Sequence, residues 1–315
     1  MKISDELKTA LVSFLVLIAL ASIGCAKDQG HDLQFHGDAT VFYKSSRAGF
    51  KNTPAIENSM VVRDGSVLAF FDPAAVGSML MADLGPDGTD FKSQQTILTH
   101  GARFSYVFFH SGKFWNFVTN GDVYLYSSDD GLQWRAENNG APVMHAVPNT
   151  PYAVLWNVGV DISADGTWHL LVEASDGTTP GQEGVGLGYS TATMTTGLIN
   201  FDTNKSAQHV IPHGGNPFVK ALSDGRLFVV HGQAYDPSWD FGAEWYTTAS
   251  TIHNGQVTRH PNFALGVRGE HVCDPHMVDL PSGGSMLTVS VAQNSISLAH
   301  SNLTIEEIAN KLGGQ

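Results

Sequence analysis

Glu57, Asp161 and Asp274 are the candidate catalytic residues of this 315-residue chain. Each lies at or within one of several similar apolar segments, so the three carboxylates would converge if those segments surrounded a common axis. Carboxylates held close together raise one another's pKa by repulsion, and a raised pKa suits a group that gives or takes a proton. The sequence therefore predicts acid–base chemistry where these segments meet.

A second set of residues is predicted to bind a ligand around the same point. Aromatic rings stack on the apolar faces of sugars, and amides and carboxylates hydrogen-bond to hydroxyl groups. The candidates are Asn58, Arg103, Trp156, Asn157, Glu173, Asn216, His231, Trp239, Glu270, His271 and His276. Because Asn and Asp are common turn formers at strand starts, a structural role is the alternative for each position.

One strand–turn–strand unit recurs along the chain and would position these residues. Each copy consists of an apolar strand, a glycine-containing hairpin and a second strand, and the copies are separated by roughly 50 residues. This interval is typical of four-stranded blades. The five copies begin at Asn58, Ser105, Asn157, Asn216 and Asp274. The sequence therefore predicts an all-β fold, a five-bladed β-propeller formed by residues 38–315.

Residues 39–44 alternate like a strand but have no hairpin partner of their own. We expect this segment to close the ring as the outer strand of the last blade, where it would cover an exposed sheet edge.

Residues 127–134 match the Asp-box pattern Ser-x-Asp-x-Gly-x-x-Trp. In this interpretation Asp129 accepts hydrogen bonds from its own loop, Gly131 supplies a positive φ angle, and Trp134 packs back between strands. The turn is expected on the face opposite the candidate site, with a structural role.

The N-terminal region has the pattern of an export signal. Residues 9–24 form an apolar run too short for an ordinary membrane span, and Ser22-Ile23-Gly24-Cys25 resembles a bacterial lipobox. We therefore predict a signal peptide over residues 1–25, lipidation at Cys25 and a tether over residues 26–37. An uncleaved membrane anchor is the alternative.

Composition limits the classes of partner. The formal charge of −13 argues against nucleic acid, whose phosphates require Lys and Arg. The spacing of His and Cys matches no zinc site, so no cofactor is expected, with a structural calcium ion left open. The predicted partners are a glycan and, through the lipid, a membrane, and the predicted state is a monomer.

The five-bladed plan resembles the glycoside hydrolase superfamily that contains the family 43 arabinanases and xylosidases, with the invertase-like enzymes as relatives. The similar segments are Arg63-Asp64-Gly65, residues 163–168, and Asn216-Pro217 followed by Phe-Val-Lys. The resemblance implies an Asp base on the first inner strand, a second Asp on the third and a Glu acid on the fourth. The matching positions hold Asn58, Asn157 and Asn216, and none of these is a carboxylate.

Two functional interpretations follow from this departure, because an amide does not exchange a proton near neutral pH. In the first, the protein is an exported glycosidase in which neighbouring groups have taken the catalytic roles. These would be Glu57, Asp161 or Glu173, and Asp274 or Glu270, with His271 or His276 as proton donor. In the second, the protein is a non-catalytic carbohydrate-binding or surface-interaction propeller.

Overall fold

The strands form five antiparallel sheets arranged as the blades of a β-propeller. The computed structural model describes residues 35–36, 44–46, 58–71, 78–88, 93–98, 103–203, 208–238, 244–266, 271–291 and 295–314. All of them belong to one unit, Leu33–Gln315. Among these residues, no helix has both the length and the apolar character of a membrane span. The predicted all-β class and the five blades are confirmed.

The strands are numbered in chain order and grouped by blade. Two short strands, β1 (Phe35–His36) and β2 (Lys44–Ser46), precede the first blade. Blade 1 contains β3 (Asn58–Arg63), β4 (Ser66–Phe71), β5 (Ser78–Asp83) and β6 (Ser93–Leu98). Blade 2 contains β7 (Arg103–His110), β8 (Lys113–Asn120), β9 (Asp122–Ser128) and β10 (Arg135–Ala136).

The remaining three blades follow the same order. Blade 3 contains β11 (Val154–Ile162), β12 (Thr167–Ser175), β13 (Val185–Thr193) and β14 (Ile211–Pro212). Blade 4 contains β15 (Gly214–Ala221), β16 (Leu227–Ala234), β17 (Trp245–His253) and β18 (Gln256–Leu265). Blade 5 contains β19 (Val272–Asp279), β20 (Ser285–Val291) and β21 (Ser295–Ser301), and helix α1 (Ile305–Gly313) follows it.

The first strand of each blade lies at the centre of the propeller. Each of these inner strands contacts the inner strand of the next blade, and β19 contacts β3, so the ring is closed. Apolar side chains fill the space between blades; for example, Trp168 of blade 3 packs edge-on against Phe108 and Trp115 of blade 2. Burial of such large rings is the main contribution to blade packing.

Two N-terminal segments complete the outer edges of the last two blades. Strand β2 pairs with β21, with Lys44 opposite His300 and Ser46 opposite Leu298. This pairing lies at the edge of blade 5 that was predicted for residues 39–44, and Lys44 belongs to both ranges; residues 39–43 lie outside the described residues. Strand β1, which falls within the predicted tether, pairs with β18 of blade 4.

The turn between β9 and β10 does not use the hydrogen bonds of the predicted Asp-box. Asp130, and not Asp129, accepts hydrogen bonds from the backbone N–H groups of Leu132 and Gln133, at 2.8 and 2.9 Å. The carboxylate of Asp129 instead pairs with exposed Arg135. The assignment to Asp129 was therefore wrong by one residue. The positive φ of Gly131, 79°, agrees with the sequence.

Candidate functional site

The inner strands surround a depression on the axis of the propeller. It encloses about 250 Å³ of space, including the part open to solvent. The lining residues are Asn58, Ser105, Tyr106, Asn157, Val158, Asn216, Pro217, Asp274 and Pro275. Every blade contributes to this lining. The five positions predicted as repeat starts, Asn58, Ser105, Asn157, Asn216 and Asp274, are all among these residues, and we call them the axial ring.

Irregularities in the inner strands direct the axial ring toward the depression. In four blades the pairing between the first and second strand shifts at the ring position, as it does at a β-bulge, which re-aims side chains. The shifts fall between Arg103 and Ser105, Leu155 and Val158, Gly215 and Phe218, and Cys273 and His276.

Asn216 and Asp274 have left-handed backbone conformations, with φ angles of 47° and 50°. Each is followed by a proline, Pro217 or Pro275. Proline has no N–H to donate to a strand ladder, so it is suited to a bulge, where the ladder is already interrupted. Asn216-Pro217 and Asp274-Pro275 are therefore suited to the bulged backbone that turns the Asn and Asp side chains toward the axis.

Asn58 links blade 1 to blade 5. Its Nδ2 donates a hydrogen bond to the backbone oxygen of Asp274 at 2.8 Å, and its Oδ1 accepts one from the Thr288 hydroxyl at 2.5 Å. The side chain is buried. Both ends of this amide are therefore used in holding the ring together.

Glu173 lies behind the axial ring, on β12. Its Oε2 accepts hydrogen bonds from Nδ2 of Asn157 at 3.1 Å and from the backbone N–H of Asn216 at 3.0 Å. Burial raises the pKa of Glu173 to about 7, although the two hydrogen bonds act in the opposite direction. Gly215 makes this packing feasible, since a Cβ there would lie 2.8 Å from the Glu173 carboxyl carbon and 2.7 Å from the Trp245 ring.

Asp274 lines the depression and contributes a carboxyl group to it. Its Oδ1 accepts a hydrogen bond from Nδ2 of Asn216 at 2.5 Å, and the Cys273 thiol lies 3.4 Å from its Oδ2. Burial raises the pKa of Asp274, the hydrogen bonds from Cys273 and Ser290 lower it, and the nearby charge of Glu173 raises it further. Asp274 and Glu173 therefore both contact Asn216, and both bind a proton more tightly than an exposed carboxylate does.

Two predicted histidines are buried and neutral. His231 lies on the second strand of blade 4, with Nδ1 2.9 Å from the Gly232 oxygen and Nε2 3.1 Å from the Ser250 hydroxyl, and burial lowers its pKa to about 4. The sequence alone did not distinguish this core histidine from a ligand-binding one.

His276 lies among the inner strands. Its Nδ1 accepts a hydrogen bond from the Met60 N–H at 3.2 Å, and its ring packs against Tyr106 and Phe218. Burial lowers the pKa of His276 to about 3. A histidine with this pKa carries no acidic proton near neutral pH, so His276 does not suit the role of proton donor.

Asp161 does not join the axial ring. It lies near the opposite end of β11 from Asn157, where its carboxylate accepts a hydrogen bond from the Ala221 N–H at 2.8 Å and lies 3.4 Å from the Lys220 ammonium. Four residues of extended strand separate the two positions by roughly 13 Å. The expected convergence of Asp161 with Asp274 was wrong. Both residues belong to inner strands, but only the part of β11 around Asn157 lines the depression, and Asp161 lies further along the strand.

Of the six remaining sequence candidates, three belong to the part of the chain that the structure describes and three do not. Trp156 is half-buried next to the axial ring, and the half-buried His271 has its ring 5.5 Å from that of Trp245. The backbone of Arg103 pairs with Thr119. Glu57, Trp239 and Glu270 lie outside the described residues.

Five residues that line the depression are not among the sequence candidates: Ser105, Tyr106, Val158, Pro217 and Pro275. Ser105 and Tyr106 line the depression from blade 2. Ser105 is a predicted repeat start but not a predicted site residue, and its place in the repeat is the sequence signal that could have identified it. Within the described part of the chain, no group of three or more His, Cys, Asp or Glu side chains is arranged to hold a metal ion.

Comparisons with known proteins show similarity in structure and not in sequence. No protein-family model matches the chain, and no curated protein matches it. The catalytic domain of a family 62 α-L-arabinofuranosidase from Coprinopsis cinerea superposes with a TM-score of 0.58 at 11% identity, covering 82% of this chain and 96% of that one.

Two further solved structures give the same result. A thermostable family 43 glycoside hydrolase has a TM-score of 0.56 at 11% identity and covers 78% of this chain and 88% of its own. An endo-arabinase from Bacteroides thetaiotaomicron has a TM-score of 0.54 at 11% identity and covers 79% of this chain and 96% of its own. This chain therefore has the five-bladed propeller fold of the family 43 and family 62 glycoside hydrolases.

Proposed function

We propose that this protein binds a glycan in the axial depression without cleaving it through a pair of carboxyl groups. One observation carries the proposal: the amides of Asn58, Asn157 and Asn216 occupy the ring and are hydrogen-bonded to Asp274 or Glu173. Within the described residues, Asp274 is then the one carboxylate that lines the depression.

The ligand class follows from the chemistry of the lining and from the fold. Amide, hydroxyl and carboxyl groups around a concave site match the hydroxyl groups of a sugar, and Tyr106 and the two prolines supply apolar surface. Solved structures with this fold include an arabinofuranosidase and an endo-arabinase. Both features support a glycan as the ligand.

Among the residues that the structure describes, the lining has one carboxyl group, that of Asp274, which supports binding over ordinary hydrolysis. Glycoside hydrolysis uses an acid and a base, or an acid and a nucleophile, on two sides of the bond. Glu173 is only 2% exposed, behind Asn157 and Asn216, and cannot reach a sugar without displacing them. In this proposal Glu173 organises the ring and does not contact the ligand.

Glycoside hydrolysis remains a second candidate because of the state of Asp274. The raised pKa of this carboxyl group favours its protonated form, which is the form that a proton donor needs. Glu57, which directly precedes Asn58 in the chain, would then be the partner base.

The two candidates predict different results in one experiment. Purified protein is titrated with arabino-oligosaccharides and xylo-oligosaccharides by calorimetry, and the same mixtures are then analysed for shortened products. Binding without product supports the first proposal, and the absence of binding to any glycan on an array would contradict it.

If products form, the variants Asp274→Asn and Glu57→Gln test the second candidate. Each should lower kcat by on the order of 10², the usual effect of removing an acid or base. Asp161→Asn is the matched control, because Asp161 is also an acidic residue of an inner strand but lies away from the depression, near the far end of β11. Unchanged kcat in both test variants would exclude these assignments.

A further inference from the structure

The exposed Tyr235 and the half-buried Tyr246 form an aromatic pair on the same face of the propeller as the axial depression. Strand β15 starts at this face, and β16 returns to it, with Gln233 opposite Gly214. Tyr235 directly follows β16, and Tyr246 is paired with Gln233 from β17. The pair therefore lies at the rim of blade 4, on the side from which a ligand would enter the depression.

The pair is held in a fixed arrangement. The two ring centroids are 4.6 Å apart, with 43° between the ring planes. The backbone N–H of Tyr235 donates a hydrogen bond to the Glu244 oxygen at 3.1 Å, which closes the base of the loop between β16 and β17. Tyr235 is thus anchored where the loop leaves the sheet.

A glycine provides the space beneath the pair. A Cβ at Gly266 would lie 2.9 Å from the Tyr235 hydroxyl oxygen and 3.0 Å from Cβ of Tyr246. With only hydrogen at that position, Tyr235 can lie against the end of β18. The side chain nevertheless remains 47% exposed, so an aromatic surface faces solvent in a supported position.

We propose that Tyr235 and Tyr246 form a second subsite, which stacks on the apolar face of a sugar unit. This inference rests on the proposed function, because the sugar unit belongs to the same glycan whose other end occupies the axial depression. Strand β17 lies two strands out from β15, or about 10 Å away. The ligand is then an oligosaccharide that runs outward from the axis over blade 4.

A length series of ligands tests this inference. Linear arabino-oligosaccharides and xylo-oligosaccharides, from the disaccharide to the octasaccharide, are titrated into the full chain and into Tyr235→Ala. Stacking predicts that the variant weakens binding of the longer ligands by on the order of tenfold and leaves binding of the disaccharide unchanged. Tyr235→Phe should retain the wild-type affinity, because it keeps the ring.

Leu132→Ala is the matched control, since Leu132 is 37% exposed on a turn at the opposite face. Melting temperatures close to wild type establish that each variant is folded. Equal affinity of Tyr235→Ala and wild type at every length overturns the subsite and leaves the proposed function intact. If the wild type binds no member of the series and no glycan on an array, the proposed function itself is contradicted.

Discussion

Nδ2 of Asn216 lies 2.5 Å from Oδ1 of Asp274 and donates a hydrogen bond to it across the boundary between blades 4 and 5. The backbone N–H of the same Asn216 donates to Glu173 of blade 3. One residue therefore connects both buried carboxyl groups of the site. A network of this kind fixes the positions of the ring residues before any ligand arrives, which lowers the cost of binding.

The first prediction concerns the pH dependence of stability. The pKa of Glu173 rises from 4.5 to about 7 on folding, so the folded state binds more protons than the unfolded state between these values. The free energy of unfolding should therefore decrease as the pH rises through that range, by about 3 kcal/mol for a shift of this size. Glu173→Gln should remove this pH-dependent contribution, because an amide does not titrate in this range. The amide oxygen of the variant can still accept both hydrogen bonds, so the packing of the site should be kept.

Urea unfolding of wild type and Glu173→Gln at several pH values between 4 and 8 measures the effect. The variant should have the flatter profile, and any slope that remains reflects groups such as Asp274. Parallel profiles for the two proteins would show that Glu173 does not change its pKa on folding.

The second prediction concerns Asn157→Asp, which introduces a carboxylate at a position where the resemblance to family 43 implies one. Its side chain would face Oε2 of Glu173, which Nδ2 of Asn157 now contacts at 3.1 Å. Two buried carboxylates this close repel each other, so the free energy of unfolding at pH 8 should fall by about 3 kcal/mol or more. At pH 5 Glu173 is protonated and can donate to the new carboxylate, which should restore much of the stability.

The exposed Asn302 provides the matched control as Asn302→Asp, which adds the same charge outside the ring. It should have little effect at either pH. An equal loss for Asn157→Asp at pH 5 and pH 8 would indicate a packing defect and not repulsion.

The third prediction concerns closure of blade 5. Variants that begin at Leu33, Gly37 and Arg47 keep both N-terminal strands, only β2, and neither strand. Loss of β2 leaves β21 as an unpaired edge, so the largest drop in melting temperature should separate the second variant from the third. A largest drop between the first and second variants would instead assign the stabilising role to β1.

The fourth prediction concerns anchoring, which rests on the sequence pattern around Cys25. We propose that the protein is exported and lipidated at this cysteine. Cys25→Ser should then abolish incorporation of labelled fatty acid and prevent normal processing. Membrane association with an intact N-terminus in both proteins would identify the segment as an uncleaved anchor.

The blade plan could be predicted from sequence because its signals are local. A glycine hairpin between two apolar strands requires only neighbouring residues, and each repeat start therefore appeared at its correct position in the axial ring. The closing strand was predicted at residues 39–44; Lys44 is the described residue of that range, and the described strand runs from it to Ser46. Its pairing depends on contacts with β21, which is distant in sequence.

The residues of the site were harder to predict, because their roles depend on how deeply each side chain is buried and on which way it points. Asp161 and Asn157 share a strand, but only Asn157 reaches the depression. His231 and His276 were chosen for their chemistry, and burial makes both of them neutral. The raised pKa values of Glu173 and Asp274 arise from desolvation by residues of several blades, and sequence proximity does not reveal this.

Because the strand pairing shifts at the axial ring in blades 4 and 5, the residues that pair these inner strands and the residues that line the depression are different ones. At Asn216 and Asp274 the strand ladder is interrupted, so these residues line the depression without setting the register of the strands around them. The paired residues on either side set the register, whereas the ring residues are held by hydrogen bonds to one another and to Glu173. Substitutions in the axial ring are therefore expected to change the stability of the propeller and its ligand affinity while the strand register within each blade stays the same.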